Sequence, residues 1–225
     1  MLRSAFVRIT LCFAVVAGIP LSAAAAGQTV SSFTKEADGA LCVLANNGRL
    51  KLQVCGENII RVVYTMGTAI PPSQSLIVVK SAFTPGTWDA TENASSVVVT
   101  TPKVTATVAK ATGLVTFATA AGAAICSEEA RTLAAVTKGG VGGYSGTLNF
   151  SSPESEGVYG LGNLSMAVGG WNGTTYWDSY TTPPDKTGQL NIRSLTVDMH
   201  QLNWMDVIPF FMTSSGYGVL MNFAC

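Results

Sequence analysis

The chain of 225 residues carries 13 Lys and Arg against 13 Asp and Glu, so its formal net charge is zero and only 12% of its residues are charged, about half the usual fraction of roughly 25%. That balance excludes a nucleic-acid grip, which needs a clustered excess of basic side chains to displace counterions from phosphates. A hydrophobic content of 48% with 23 Gly and 9 Pro describes a globular chain rather than a disordered one, long enough for one domain with a real core.

Arg3 and Arg8 precede an apolar run from Ile9 to Leu21, and the small residues Ser22 to Ala26 follow. A basic start, an apolar middle and an Ala-x-Ala exit are the order of a secretory signal peptide. The run falls short of the roughly 20 apolar residues of a membrane-spanning helix, so no membrane span is expected. Residues 1–26 are therefore read as a leader cleaved after Ala25 or Ala26, against the alternative of a buried first helix, and the protein is expected to be secreted. Cleavage removes Arg3 and Arg8 and leaves the mature residues 27–225 slightly acidic.

Export changes the meaning of the cysteines. Cys42, Cys55, Cys126 and Cys225 remain after the leader, an even number in an oxidising compartment, and three pairings are possible. Buried free thiols are the alternative. A Cys42–Cys55 bridge is favoured, because Asn46-Asn47-Gly48 is a turn signal between two apolar runs that would bring those positions opposite each other. No Cys-x-x-Cys pair exists and His200 is the single histidine, so no metal site is expected, and no cofactor either. Four acceptor sequons begin at Asn93, Asn149, Asn163 and Asn172. They are candidate glycosylation sites, used only where the source has the machinery.

Beyond the leader the pattern is that of strands and turns. Leu41 to Leu44, Leu50 to Val54 and Ile59 to Tyr64 are short runs rich in apolar and β-branched residues, separated by Asn-Gly and Gly-Glu-Asn, and predict a meander. Loops rich in Pro, Ser and Gly surround Leu76 to Val79. Val97 to Val99 lead to Val104-Thr105-Ala106-Thr107-Val108, whose strict alternation puts one face on a core and the other in water. Thr112-Gly113 and Ala121-Gly122 then turn the chain through Leu114 to Phe117 and Ala124 to Cys126. Glu128 to Ala134 is the one stretch suited to a short helical turn. Gly169 to Gly188, with Trp171, Tyr176, Trp177 and Tyr180, has no periodicity and is read as a long aromatic loop. Strand-like segments follow at Leu195 to Met199, Val207 to Met212 and Tyr217 to Met221. The expected class is all-β, an antiparallel sandwich.

Three blocks carry a family likeness. The first runs from Asn149-Phe150 through Ser152-Pro153 and Glu154-Ser155-Glu156 to Tyr159-Gly160-Leu161-Gly162. The second is Leu190-Asn191-Ile192-Arg193-Ser194 with the strand and loop to Asn203. The third is Ile208-Pro209-Phe210 closed by Gly216-Tyr217-Gly218-Val219-Leu220. In this order and spacing the chain resembles, over roughly residues 38–225, the N-terminal domain of glycoside hydrolase family 31, the α-glucosidases and α-xylosidases. Ser194 stands where the family usually has Gly, and Met221-Asn222-Phe223 where it commonly has Trp-Asp-Asn.

The resemblance implies a sandwich of the galactose-mutarotase-like type, unfinished at the C-terminus, that precedes a (β/α)8 barrel performing retaining hydrolysis of α-glycosides. Retention needs two carboxyl groups about 5–5.5 Å apart. The family's two are barrel aspartates that no acid of this chain matches, so the chain alone is expected to be inactive. It also implies a loop lent to the substrate pocket, here His200 to Asp206. Gln201 and Asn203, with Asp206 behind them, are the candidate ligands of an α-linked oligosaccharide, since amides and carboxylates meet sugar hydroxyls in fixed planes. Turn capping by Asn203 and Asp206, with Trp204 packed at the domain interface, is the plainer alternative. Arg193 and Asp198 are read as a structural ion pair, Glu156 as a hydrogen-bonding turn residue, and Gly160, Gly162, Gly216 and Gly218 as positions of special backbone or close approach. The competing function is a free-standing carbohydrate-binding sandwich, with Trp171, Tyr176 and Trp177 as a stacking platform. A mutarotase is excluded, because the resemblance there requires two histidines and the chain has one.

Overall fold

The computed structural model describes residues 7–14, 28–70, 75, 77–78, 83–163, 166–168, 175–177 and 206–222. Among these every regular element is a β-strand, as the all-β reading expects. The chain divides into two compact units, the larger centred on Arg8–Ser151 and the smaller on Ser152–Asn222.

In the larger unit, β1 (Val7–Ala14) lies at the edge of a sheet completed much later in the chain. The strands β2 (Val30–Glu36), β3 (Gly39–Leu44), β4 (Arg49–Gly56) and β5 (Ile59–Thr65) then form a four-stranded antiparallel meander in sequence order. Alternation decides which face is buried. Ala40, Cys42 and Leu44 on β3 and Leu50, Leu52 and Val54 on β4 point into the core, while their neighbours in sequence point away. Asn47 makes the β3–β4 turn in the left-handed region, at φ 64°, which Asn tolerates better than most residues. Gly48 N donates to Asn46 Oδ1 at 2.9 Å beside it.

This register rules out the Cys42–Cys55 bridge. Cys42 stands opposite Leu50, and Cys55 lies five residues further along β4, about 17 Å at the strand rise, whereas bridged Cα atoms lie within about 7 Å. The Asn-Gly turn does form, but it is too tight to align those two positions. Cys42 is a buried thiol. Burial first, and the charge of Glu92 second, push its pKa up to about 11 against the opposing charge of Lys110.

The second sheet consists of β6 (Asp89–Glu92), β7 (Ser96–Thr100), β8 (Val104–Ala109), β9 (Val115–Thr119), β10 (Ala124–Lys138) and β11 (Val141–Phe150), in sequence order with β1 beyond β11. Gly113 at φ 65° and Gly122 at φ 88° make the turns flanking β9. Val97 and Val99, Ala106 and Val108, and Val115 are fully buried, in one cluster with the inward residues of the first sheet. Two sheets joined by one apolar layer are a sandwich. Backbone bonds from Gln28 N to Thr112 O (2.6 Å) and Val30 N to Lys110 O (2.8 Å) close one end of it. At the other end Thr101 Oγ1 donates to Glu57 O.

Glu128 to Ala134 belongs to the long strand β10, not to a helical turn. The ladder shifts register between Glu128 and Ala130, and the extra residue cancels the alternation that would send positions 128 and 131 to opposite faces. Both side chains therefore enter the interior, at 6% and 7% exposure, while Glu129 stays exposed. Glu128 Oε2 accepts from Arg131 Nη1 at 2.8 Å and from Val115 N at 2.9 Å. Arg131 Nη2 donates to Gly113 O at 2.7 Å, and its guanidinium lies 4.6 Å from the ring centre of Tyr64 on the facing sheet, within cation–π range.

Glu128→Ala, which leaves the guanidinium buried without its counter-charge, is expected to cost about 3–5 kcal/mol in urea unfolding. Glu128→Leu combined with Arg131→Met is expected to stay near wild type. Burial pushes the Glu128 carboxyl above its ordinary value, against the charge of Arg131 and the bonds from Val115 and Arg131. The folded state thus holds this proton more tightly than the unfolded chain, so the stability it contributes is present below the ordinary Glu range and is lost as pH rises through the raised pKa. Relative to Glu128→Gln, the wild type should lose stability over that rise; a constant difference would contradict the sign.

Candidate functional site

The smaller unit brings the first and third sequence blocks together. Its strands β12 (Val158–Asn163), β15 (Asp206–Thr213) and β16 (Gly218–Leu220) form one antiparallel sheet in the order β12-β15-β16. Between them in the chain, β13 (Met166–Val168) and β14 (Thr175–Trp177) form a separate two-stranded ribbon. Val158 pairs with Thr213 and Gly160 with Phe211; the register then jumps, so that Gly162 faces Val207. Ile208-Pro209-Phe210 is the surplus opposite Leu161, and a bulge of this kind is where a strand accommodates a proline that has no N–H to give. Pro209 O is still satisfied, by Met221 N at 2.8 Å.

The Tyr-Gly-Leu-Gly run is built for that bulge. Gly160, Leu161 and Gly162 all have positive φ, 130°, 68° and 95°. A Cβ on Gly160 would stand 2.5 Å from Phe210 O. Gly216, at φ 84°, turns β15 into β16, and a Cβ on Gly218 would meet the Phe210 ring at 2.7 Å. The expected special roles of these glycines are thus of both kinds, turn geometry and close approach.

Glu156 anchors the entrance to β12. It is 2% exposed, its N–H closes the Ser-Pro turn on Pro153 O at 3.0 Å, and its Oε2 accepts from Ser152 Oγ at 2.5 Å and Tyr217 OH at 3.2 Å. Next to it, Gly157 N donates to Ser214 Oγ and Ser214 N to Gly157 O, both at 2.9 Å. The acid of the first block is therefore held by the tyrosine of the third, 61 residues away. Sequence reading placed Glu156 in a hydrogen-bonded turn but missed Tyr217 as its partner; the Gly-Tyr-Gly setting of that tyrosine was the available signal.

Of the candidate sugar ligands, Asp206 lies among the described residues. Asp206 is the first residue of β15, its backbone opposite Asn163; Gln201 and Asn203 lie outside the described residues, as do Arg193, Asp198, His200 and Trp204. Of the aromatic loop, Tyr176 and Trp177 are on β14, opposite Ala167 and Met166, which adds a short ribbon where sequence predicted only loop; Trp171 and Tyr180 lie outside. Among the sequons, Asn93 is exposed in the β6–β7 turn and its Oδ1 accepts from Ser95 N and Ser96 N at 2.9 and 2.8 Å. Asn149 sits within β11 with a buried Oδ1, Asn163 ends β12, and Asn172 lies outside the described residues. Among the described residues no group of three or more His, Cys, Asp or Glu is placed to hold a metal ion.

No family model matches the chain. Solved structures do. An α-xylosidase of glycoside hydrolase family 31 from Xanthomonas citri is 28% identical, with a TM-score of 0.65, over 84% of this chain and 18% of its own. A family 31 α-xylosidase from a soil metagenome is 18% identical with a TM-score of 0.61, over 85% of this chain and 28% of that one. A family 31 dextranase from Flavobacterium johnsoniae is 15% identical with a TM-score of 0.56, over 88% and 22%. The last two speak for the fold alone, and the chain spans less than a third of each enzyme. If the paired blocks hold the smaller unit together, Gly160→Ala should destabilise it by about 2 kcal/mol or more through positive φ and the backbone clash. Tyr217→Phe should cost about 1–3 kcal/mol by stripping a bond from a buried carboxylate. Amide exchange along β15 would register both, and unchanged protection would count against the pairing. The chain has the fold, and carries the sequence blocks, of the N-terminal domain of glycoside hydrolase family 31 enzymes.

Proposed function

We infer that the chain is the non-catalytic N-terminal domain of an exported α-glycoside hydrolase. In that role it packs on a (β/α)8 barrel that holds both catalytic aspartates, and lends the loop ending at Asp206 to the substrate pocket. Gln201, Asn203 and Asp206 would then bind hydroxyls of an α-glucoside or α-xyloside, and the chain alone would break no glycosidic bond. The observation that supports this reading is the junction of the first and third blocks, where Tyr217 OH donates to Glu156 Oε2.

A second feature supports packing on another domain. Ile208, Phe210 and Met212 alternate along one side of β15, with Leu220 opposite Phe210, and all four are exposed, Met212 to 55%. Contiguous apolar surface of this kind marks an interaction face. Export rests on the leader at residues 1–26, with β1 a feature of the unprocessed chain.

Isothermal titration of the processed chain with malto- and xylo-oligosaccharides separates this reading from a free-standing binding module. A loop lent to a pocket supplies too few contacts to bind alone, so no heat is expected. Saturable binding would instead favour the module, with the aromatic residues of 171–177 as its platform.

A further inference from the structure

We propose that Asn47-Gly48, in the β3–β4 turn, is a site of spontaneous deamidation, and that Asn46 and Arg49 set its rate by holding the reacting peptide from both sides. The proposal depends neither on the leader nor on the assignment to a glycosidase, since every contact it uses lies within β3, β4, β5 and the turn itself. The chain has two Asn-Gly pairs, Asn47-Gly48 and Asn172-Gly173, and the second lies outside the described residues. Asparagine is a thermolabile residue, and a following glycine has no side chain to keep its nitrogen from the asparagine carboxamide.

The shape of the turn favours this labile pair. Asn47 sits at φ 64°, a region that Asn enters more readily than most side chains. A Cβ on Gly48 would stand 2.7 Å from Thr65 O and 2.8 Å from Asn46 Oδ1, so glycine is what fits there. The reaction needs only water and base. Gly48 N gives its proton to hydroxide and bonds to Asn47 Cγ; the side-chain nitrogen takes a proton from water and leaves as ammonia, and a cyclic imide remains. Water then opens the imide. Breakage of the new C–N bond gives aspartate, and breakage of the original peptide bond gives isoaspartate, which adds a carbon to the main chain. That turn is closed by Leu44 N on Gly48 O (3.0 Å) and Asn47 N on Leu44 O (2.9 Å), so the longer product loosens a hairpin whose Leu44 and Leu50 belong to the core.

Both ends of the reacting peptide are occupied. Its N–H, on Gly48, donates to Asn46 Oδ1 at 2.9 Å. Its carbonyl, Asn47 O, accepts from Arg49 Nη1 at 2.7 Å, and the same guanidinium nitrogen donates to Gly48 O at 3.0 Å. Loss of the Gly48 proton leaves a nitrogen anion facing the carbonyl oxygen of Asn46, with the hydrogen bond between them gone. Ring closure also requires the peptide to swing its nitrogen onto the Asn47 side chain, which the bonds at both ends oppose. Asn46 thus slows the proton loss, and Arg49 the swing.

The test is the rate of deamidation at Asn47 in the full chain, held at mildly alkaline pH either folded or in urea and read by mass spectrometry of its peptides. In the wild type the folded rate is expected to be the slower. Asn46→Ala and Arg49→Ala should each speed the folded reaction by about fivefold, the worth of one ordinary hydrogen bond, and leave the rate in urea unchanged. Asn46→Asp, whose carboxylate accepts from Gly48 N in the same way, should keep the slow folded rate. Val54→Ala, which weakens the same hairpin away from the turn, should keep it too. Should an alanine variant not fold, the wild type in the two states decides together with Asn46→Asp. Equal wild-type rates in the two states, a folded Asn46→Ala or Arg49→Ala chain no faster than wild type, or Asn46→Asp as fast folded as in urea overturns the proposal. So does a Val54→Ala chain as fast as Asn46→Ala, since hairpin stability alone would then set the rate.

Discussion

The larger unit is organised around a charge pair that an ordinary strand could not form. Glu128 and Arg131 are three positions apart, and regular pleating would turn one of them to water; the register shift at Glu128 to Ala130 turns both inward. Once inside, the pair closes several accounts of buried polarity together. Glu128 takes the N–H of Val115 at the start of β9, Arg131 takes the carbonyl of Gly113 in the turn before it, and the guanidinium covers Tyr64 on the facing sheet. A pair of this type adds little over apolar residues of the same size, but is costly to break on one side. Its effect is to fix which strands lie opposite, while the apolar layer from Val30 to Val115 supplies the driving force.

The parts of the fold legible in sequence were those with a short physical period. The alternation of Val104 to Val108, the Asn46-Asn47-Gly48 turn and the glycines at 113 and 122 each appear where their chemistry requires. The β10–β11 hairpin was not legible. Its first strand has Glu-Glu-Ala-Arg in place of alternation, because the bulge consumes a residue, and its second is diluted by glycine. The Cys42–Cys55 expectation failed for a related reason: a turn signal locates a hairpin but not its register, and one pairing of Cys42 with Leu50 decides the matter.

In the smaller unit, sequence blocks were more informative than periodicity. Tyr-Gly-Leu-Gly has no strand-like alternation, yet its three successive positive φ values are what a strand needs when it faces the surplus Ile208-Pro209-Phe210. Glu156 was recognisable as a hydrogen-bonding residue of a turn, whereas its partner Tyr217 is 61 positions away and beyond any local pattern. Two backbone rules, a proline that cannot donate and a glycine that leaves room, thus bring distant segments to one place.

The central claim is that these two units serve a catalytic barrel encoded in the same polypeptide. Reading the coding DNA beyond the codon for Cys225 tests it most directly. The account predicts an in-frame continuation through further sandwich strands into a (β/α)8 barrel, with two aspartates at the C-terminal ends of its strands. A stop codon immediately after Cys225 in the genomic sequence would contradict it.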